Sequence, residues 1–233
     1  RMLSAEDILS IPAIFQLLPY GHEARFLNEN LQPISLDLFN AETWRKYGWS
    51  STFNSDFRDR FARGNIASDR KLQGSTKLID LEAYFANALG RGRRFHEALA
   101  APGDLPAPVT IYAFGGDCED TLSAPVIIPH GDKTAGWVTL TRPATIKRNA
   151  GSRITKDQVI RAMFAPGDGI TTRSSVLGGG WPLIDDGKGA KAIEKTLPVT
   201  YTFFNCAVHN DLTNNGILQN NAFTLLMREV LNK

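Results

Sequence analysis

VTIYAFGGD, residues 109–117, is the stretch on which the fold turns. It is a compact apolar run of good strand formers, closed by Gly115 and Gly116, and it predicts a buried strand ending in a turn. A second run of this kind, LPVTYTFFNCAVHND (197–211), predicts a second buried strand leading to His209. Between the two, APVIIP (124–129) and GWVTLTRP (136–143) flank HGDKTA, the pattern of an antiparallel hairpin. ITKDQVIRAMF (154–164) predicts a helix, and APGDGITTRSSVL (165–177) follows it. The carboxylate of Asp168 lies there between Gly167 and Gly169, which predicts a tight, exposed turn. GILQNNAFTLLMREVLNK (216–233) predicts a last helix with Ile217, Leu218, Phe223, Leu226 and Val230 inward. Strand, acidic turn, strand, His, helix is an α/β order, in which reactive groups gather beyond the carboxyl ends of strands.

The texture differs before residue 105. LSAEDILSIPAIFQLLP (3–19) reads as a helix capped by Ser4, with Glu6 and Asp7 in its first turn and Pro12 kinking or restarting it. In SLDLFNAETWRKYGWS (35–50), Asn40 predicts an N-cap for a short helix bearing Trp44 and Tyr47. TKLIDLEAYFANALGRGRRFHEALA (76–100) predicts a long amphipathic helix with Leu78, Leu81, Tyr84, Phe85, Leu89, Phe95 and Leu99 on one stripe. APGDLPAP (101–108) then reads as a linker, so the chain divides into 1–105 and 106–233.

The 233 residues are 42% hydrophobic and 21% charged, enough for a real core and unlike a disordered chain. A net charge of +2 points to no nucleic-acid partner. Arg91-Gly92-Arg93-Arg94 is a short basic run and reads as a solvated helix face. Cys118 and Cys206 form neither a disulfide framework nor a zinc-ligand spacing; the two can meet or stay reduced. No stretch reaches the roughly 18 consecutive apolar residues of a membrane span.

Asp168 and His209 lie 41 residues apart. If the two buried strands are parallel neighbours, both residues emerge at one edge of the sheet. A carboxylate beside an imidazole sets its tautomer and stabilises the imidazolium formed in proton transfer. The competing reading of His209 is a capping histidine, with Asn210 and Asp211 beside it. His130 sits at the hairpin tip and suits a turn, while His22 and His96 have polar helical neighbours in sequence. Asp117, Glu119 and Asp120 lack the alternation of a calcium loop and read as a solvated loop. The glycines of LGGGW match no phosphate-binding pattern, and no cofactor is indicated. A nucleophile elbow, G-x-S-x-G between a strand and a helix, is missing; GWSST, QGSTK and AGSRI are the nearest strings.

On these residues the chain resembles the C-terminal portion of an α/β-hydrolase of the lecithin:cholesterol acyltransferase-like family. IPAIFQLLPY (11–20) is similar to the family's segment that begins the cap, and SLDLFNAETWRKYGWS to the stretch that follows in bacterial members. VTIYAFGGD resembles its seventh strand and APVIIP with GWVTL the hairpin after it. APGDGITTRSSVL resembles its Gly-Asp-Gly-Thr-Val loop, and AVHNDLTNN (207–215) its catalytic His loop. Ile170-Thr171 stand where the family has Thr-Val.

The resemblance implies a helical cap over 1–105 and the last strands and helix of a mostly parallel sheet over 106–233. It implies that Asp168 is the catalytic acid and His209 the general base of a Ser-His-Asp triad. The serine elbow and the earlier strands are then expected outside this chain, on the N-terminal half of the same hydrolase or within an intertwined oligomer. The expected substrate is a lipid-like ester. Cap aromatics Phe15, Tyr20, Phe26, Trp44 and Trp49 would line an acyl pocket or serve as ordinary core. A non-catalytic assembly module is the alternative, and a metal hydrolase on Asp117, Glu119 and His130 a weaker third reading.

Overall fold

A computed structural model describes residues 8–9, 11–20, 25–63, 74–100, 109–130, 136–147, 152–178 and 199–231. In chain order its elements are a 3-10 helix over Pro12–Leu17, β1 (Arg25–Leu27), β2 (Pro33–Ser35), α1 (Ala41–Tyr47), a 3-10 turn over Ser51–Phe53, α2 (Ser55–Ala62) and α3 (Gly74–Ala100). There follow β3 (Ile111–Gly116), β4 (Glu119–Leu122), β5 (Val126–Pro129), β6 (Trp137–Leu140), β7 (Ile146–Lys147) and β8 (Arg153–Ile154). The chain ends with α4 (Lys156–Met163), β9 (Phe164–Gly167), α5 (Arg173–Val176), β10 (Val199–Asn205), a 3-10 helix over His209–Asn214 and α6 (Gly216–Leu231).

The architecture is mixed α/β, in two compact units. One, largely helical, comprises Arg1–Ala24, Ser35–Gly103 and Ile127–Thr139. The other, carrying most of the strand pairs, comprises Arg25–Ile34, Asp104–Val126 and Leu140–Lys233. The two interleave in sequence instead of dividing once near residue 105. Strand pairing is the reason: Leu27 of β1 pairs in parallel with Val126 of β5, which draws 25–34 into the strand-rich unit.

In the helical unit the local signals act as read. Asn40 has extended backbone and its side chain accepts from the Glu42 N–H. Gly48, at φ 67°, closes α1 in the left-handed conformation that glycine adopts without strain. Pro12 occupies the first turn of a separate 3-10 helix, so it restarts the chain; the Ser4 cap lies outside the described residues. On α3 the packed face is narrower than expected. Phe85, Ala88, Leu89 and Gly92 are buried, whereas Tyr84, Phe95 and Leu99 are exposed. One residue advances about 100° around a helix, so Tyr84, the direct neighbour of Phe85, turns away, while Phe95 and Leu99 lie past Gly92, the last buried position of the stripe. The side chain of Leu78 lies outside the described residues.

Phe85 and Leu89 pack with Leu9, Phe15 and Phe57, and Trp44 lies against them. Phe15 meets Trp44 and Phe85 edge to face, with centroids 6.2 and 5.6 Å apart. Each fully buried ring of this kind stabilises the unit by about 1.5–3 kcal/mol. Gly92 is buried because a Cβ there would lie 2.6 Å from the Phe15 carbonyl oxygen. Arg93 pairs with Asp37 while Arg91 and Arg94 are exposed, as expected of a solvated face. Within Ile127–Thr139, β5 and β6 run side by side, and the His130 N–H donates to the Gly136 carbonyl across their connection.

In the strand-rich unit β3 and β10 are parallel partners, in register from Tyr112↔Tyr201 to Gly116↔Asn205. β4 pairs antiparallel with β9, and β7 with β8. Thr155 and Gln158 form a capping box that starts α4, and Val159 and Met163 bury its inner face. Two expectations are corrected. β10 is only half-buried, not a fully buried strand. α6 turns inward on Leu218, Asn221, Ala222 and Leu225, leaving Ile217, Phe223, Leu226 and Val230 exposed. Phe223, Leu226 and Val230 do share a face, but that face is not the one packed on this unit.

Candidate functional site

Three connections of the strand-rich unit converge, and each follows a strand. The chain leaves β3 at Gly116, β9 at Gly167 and β10 at Asn205. β9 escaped the sequence reading because FAPG contains proline and glycine, which strands disfavour. It pairs with β4 in the register Glu119↔Gly167 and Thr121↔Ala165, and so delivers Asp168 to a set position.

Asp168 was expected on an exposed turn; it is only 3% exposed. A buried carboxylate costs free energy unless its oxygens are satisfied, and both are. Oδ1 accepts from the backbone N–H of Ile170 at 3.0 Å and of Thr171 at 2.7 Å. Oδ2 lies 2.9 Å from Nδ1 of His209. The local turn makes this possible: the Asp168 N–H donates to the Thr171 carbonyl, Gly167 bridges to Thr172, and Gly169 stands at φ +91°. A second tether runs through the main chain, where the His209 N–H donates to the Asp168 carbonyl at 2.9 Å.

The electrostatics follow from these bonds. Burial pushes the Asp168 carboxyl up, but the hydrogen bonds from Thr171, His209 and Ile170 more than offset it. The group therefore titrates below the ordinary carboxylate range and is ionised at neutral pH. An ionised carboxylate only accepts, so Nδ1 of His209 carries the proton it donates. In the neutral imidazole Nε2 then bears the lone pair. The His209 side chain is 44% exposed, so the imidazole is reachable from solvent while its partner is not. The arrangement can take a proton at Nε2 from a hydroxyl brought within about 3 Å and return it.

The close approach of the loops depends on glycine. A Cβ on Gly116 would lie 2.0 Å from the Ala207 carbonyl oxygen and 2.9 Å from the Asp168 Cβ. Cys118 and Cys206 form a disulfide, with Cα atoms 5.2 Å apart, between the loops that follow β3 and β10. Arg173 pairs with Asp117 at 2.9 Å and covers the ring of Phe204.

Both residues named as the acid and the base are brought together. The other candidates are not. His130 is exposed beyond β5, in the helical unit. His96 was expected in polar surroundings and instead stacks on Tyr20, 5.4 Å between centroids, beside Phe39. His22 lies outside the described residues. Among the described residues no three His, Cys, Asp or Glu side chains gather as a metal site, so Asp117, Glu119 and His130 do not form one. No described helix is long and apolar enough to cross a membrane. The sequence left the Cys118–Cys206 pairing open and gave no sign of Thr121; the Gly115-Gly116 doublet was the one visible sign of close packing. No protein-family profile, no curated protein and no solved structure matches the chain.

Proposed function

We propose that Asp168 and His209 are the acid and base of a Ser-His-Asp triad in a serine hydrolase or acyltransferase acting on ester bonds of lipid-like substrates. One observation carries this reading: a buried, ionised carboxylate holds the Nδ1 of a solvent-reachable imidazole at 2.9 Å. The lipid-like substrate class and the α/β-hydrolase fold come from the resemblance to the lecithin:cholesterol acyltransferase-like family. In the mechanism His209 Nε2 takes the proton as the serine oxygen attacks the ester carbon. Asp168 stabilises the imidazolium, which then protonates the leaving alkoxide. Water or an acceptor alcohol repeats the steps in reverse order to release the acyl group.

The nucleophile belongs to another polypeptide segment, because G-x-S-x-G is absent from these 233 residues. Its carrier is the N-terminal half of the same hydrolase or a second copy in an intertwined oligomer. The exposed stripe Phe223, Leu226, Met227 and Val230 on α6 supports such a cover, as does the parallel pair β3 and β10, since parallel strands are ordinarily covered on both faces.

The test is fluorophosphonate labelling of the natural protein, followed by intact-mass analysis. A labelled serine on an associated segment or larger parent is the expected result. A single unlabelled species of this chain's mass, soluble and folded, overturns the triad and favours the assembly module to which the same apolar stripe would dock.

A further inference from the structure

We propose that Thr121 is a positioning residue for the Asp168–His209 pair, anchoring the acid's turn to β4 so that Oδ2 faces the imidazole. The proposal deepens the triad reading and rests on it for its catalytic meaning. Thr121 is 1% exposed, one of few buried polar residues in the described chain. Its hydroxyl is used in both directions. Oγ1 donates to the Glu119 carbonyl at 3.2 Å and accepts from the Gly169 N–H at 2.9 Å. The second bond crosses 48 residues of sequence and grips the peptide next to Asp168.

The other hydrogen bonds described for the turn do not fix it to the strands below it. Asp168 N–H to Thr171, and Ile170 and Thr171 N–H to Oδ1, are internal to the turn. The bond from His209 N–H to the Asp168 carbonyl ties the turn to the residue it must orient, and cannot by itself hold either in place. Among the described residues Thr121 supplies the side-chain link to a strand. Its fit to the turn is tight. A Cβ on Gly167 would lie 2.4 Å from Thr121 Oγ1 and 2.8 Å from Thr121 Cβ, so glycine there makes room for threonine here.

The distances explain how one hydroxyl selects between two carboxylate oxygens. Gly169 stands at φ +91°, and the peptide that follows it presents the N–H of Ile170 to Oδ1. Holding the Gly169 N–H holds the Asp168–Gly169 peptide, from which the Asp168 side chain departs, and with Oδ1 occupied by the N–H groups of Ile170 and Thr171, Oδ2 is the oxygen left for His209. Release of Gly169 lets the turn rotate, and the carboxylate is then shared between its own backbone and the ring without a preferred oxygen.

The experiment compares the full chain with Thr121→Val and Thr121→Ser. Valine keeps the shape and removes the hydroxyl; serine restores the hydroxyl without the methyl. The readout is the His209 Nδ1 proton in ¹⁵N-edited NMR, with its rate of exchange with water. The expected result is a resolved, slowly exchanging proton in the natural chain and in Thr121→Ser, and exchange faster by about tenfold or more in Thr121→Val. A purely structural role moves only the unfolding midpoint. Unchanged exchange in Thr121→Val overturns the proposal. If the valine variant does not fold, amide exchange of Gly169 in the natural chain decides: protection supports the anchor, and exchange at the free-peptide rate removes it. Failure of fluorophosphonate labelling would sink the triad reading while leaving this imidazole result standing, so the two fail separately.

Discussion

In the helical unit Phe15, Trp44 and Phe85 meet edge to face, and stability comes from the volume that rings fill. In the strand-rich unit the loops around Asp168 and His209 meet through backbone groups, glycines, a disulfide, one buried hydroxyl and the carboxylate–imidazole contact itself. The first kind of packing tolerates exchange of one apolar shape for another, because dispersion and burial depend on volume. The second does not, because a hydrogen bond needs its donor at a given place and a glycine leaves no room for a methyl. The comparison separates what keeps the chain folded from what aims a proton.

The largest expected effect tests the aiming alone. Asp168→Asn preserves shape but makes the side chain a weaker, neutral partner for Nδ1. If the proposed triad holds, this change made in the natural protein should slow serine acylation by a fluorophosphonate by about 10⁴-fold, as expected when an imidazole loses its orienting carboxylate. Labelling that slows less than about tenfold would break the distinction between the two regions.

Next comes a paired measurement. Phe85→Ala should lower the unfolding free energy by about 3–5 kcal/mol in urea titration, while the His209 Nδ1 proton stays in place. Gly116→Ala should cost less stability, about 1–3 kcal/mol, yet abolish that proton signal, because its Cβ meets the Ala207 carbonyl oxygen and Asp168. The comparison fails if both variants move both readouts together.

The smallest effect is a pH dependence. Folding lowers the Asp168 carboxyl below its unfolded value of about 4, so between the two values the unfolded chain holds more protons. The stability this group contributes is therefore complete above about pH 4 and is lost as pH falls through the folded value. Urea midpoints from pH 5 to pH 2 should fall more steeply in the natural chain than in Asp168→Asn. Parallel curves would place the acid sensitivity elsewhere.

Much of the local structure was legible before any coordinates. Asn40 caps α1 because a short polar side chain can satisfy the free N–H groups of a first turn. Asp168 and His209 were legible as a pair because Asp168 lies on a glycine-flanked turn between the two strand-like runs and His209 follows the second of them. The buried state of Asp168 was not, since a Gly-Asp-Gly string reads the same whether or not another loop covers it. Thr121 was hidden for a related reason: its partner is 48 residues away.

The sequence by itself determined periodicity, caps and turns, whose energies are local and whose residues lie within a few positions of one another. It determined that Phe223, Leu226 and Val230 share a face of α6, because helix geometry alone places them there. Only the tertiary structure decided that Leu218 turns inward while this apolar face stays open, that β10 lies parallel to β3, and that Cys118 meets Cys206. Those outcomes rest on contacts between distant segments, where chain entropy is lost before burial and hydrogen bonding return it. The 2.9 Å contact between His209 and Asp168 belongs to this second class.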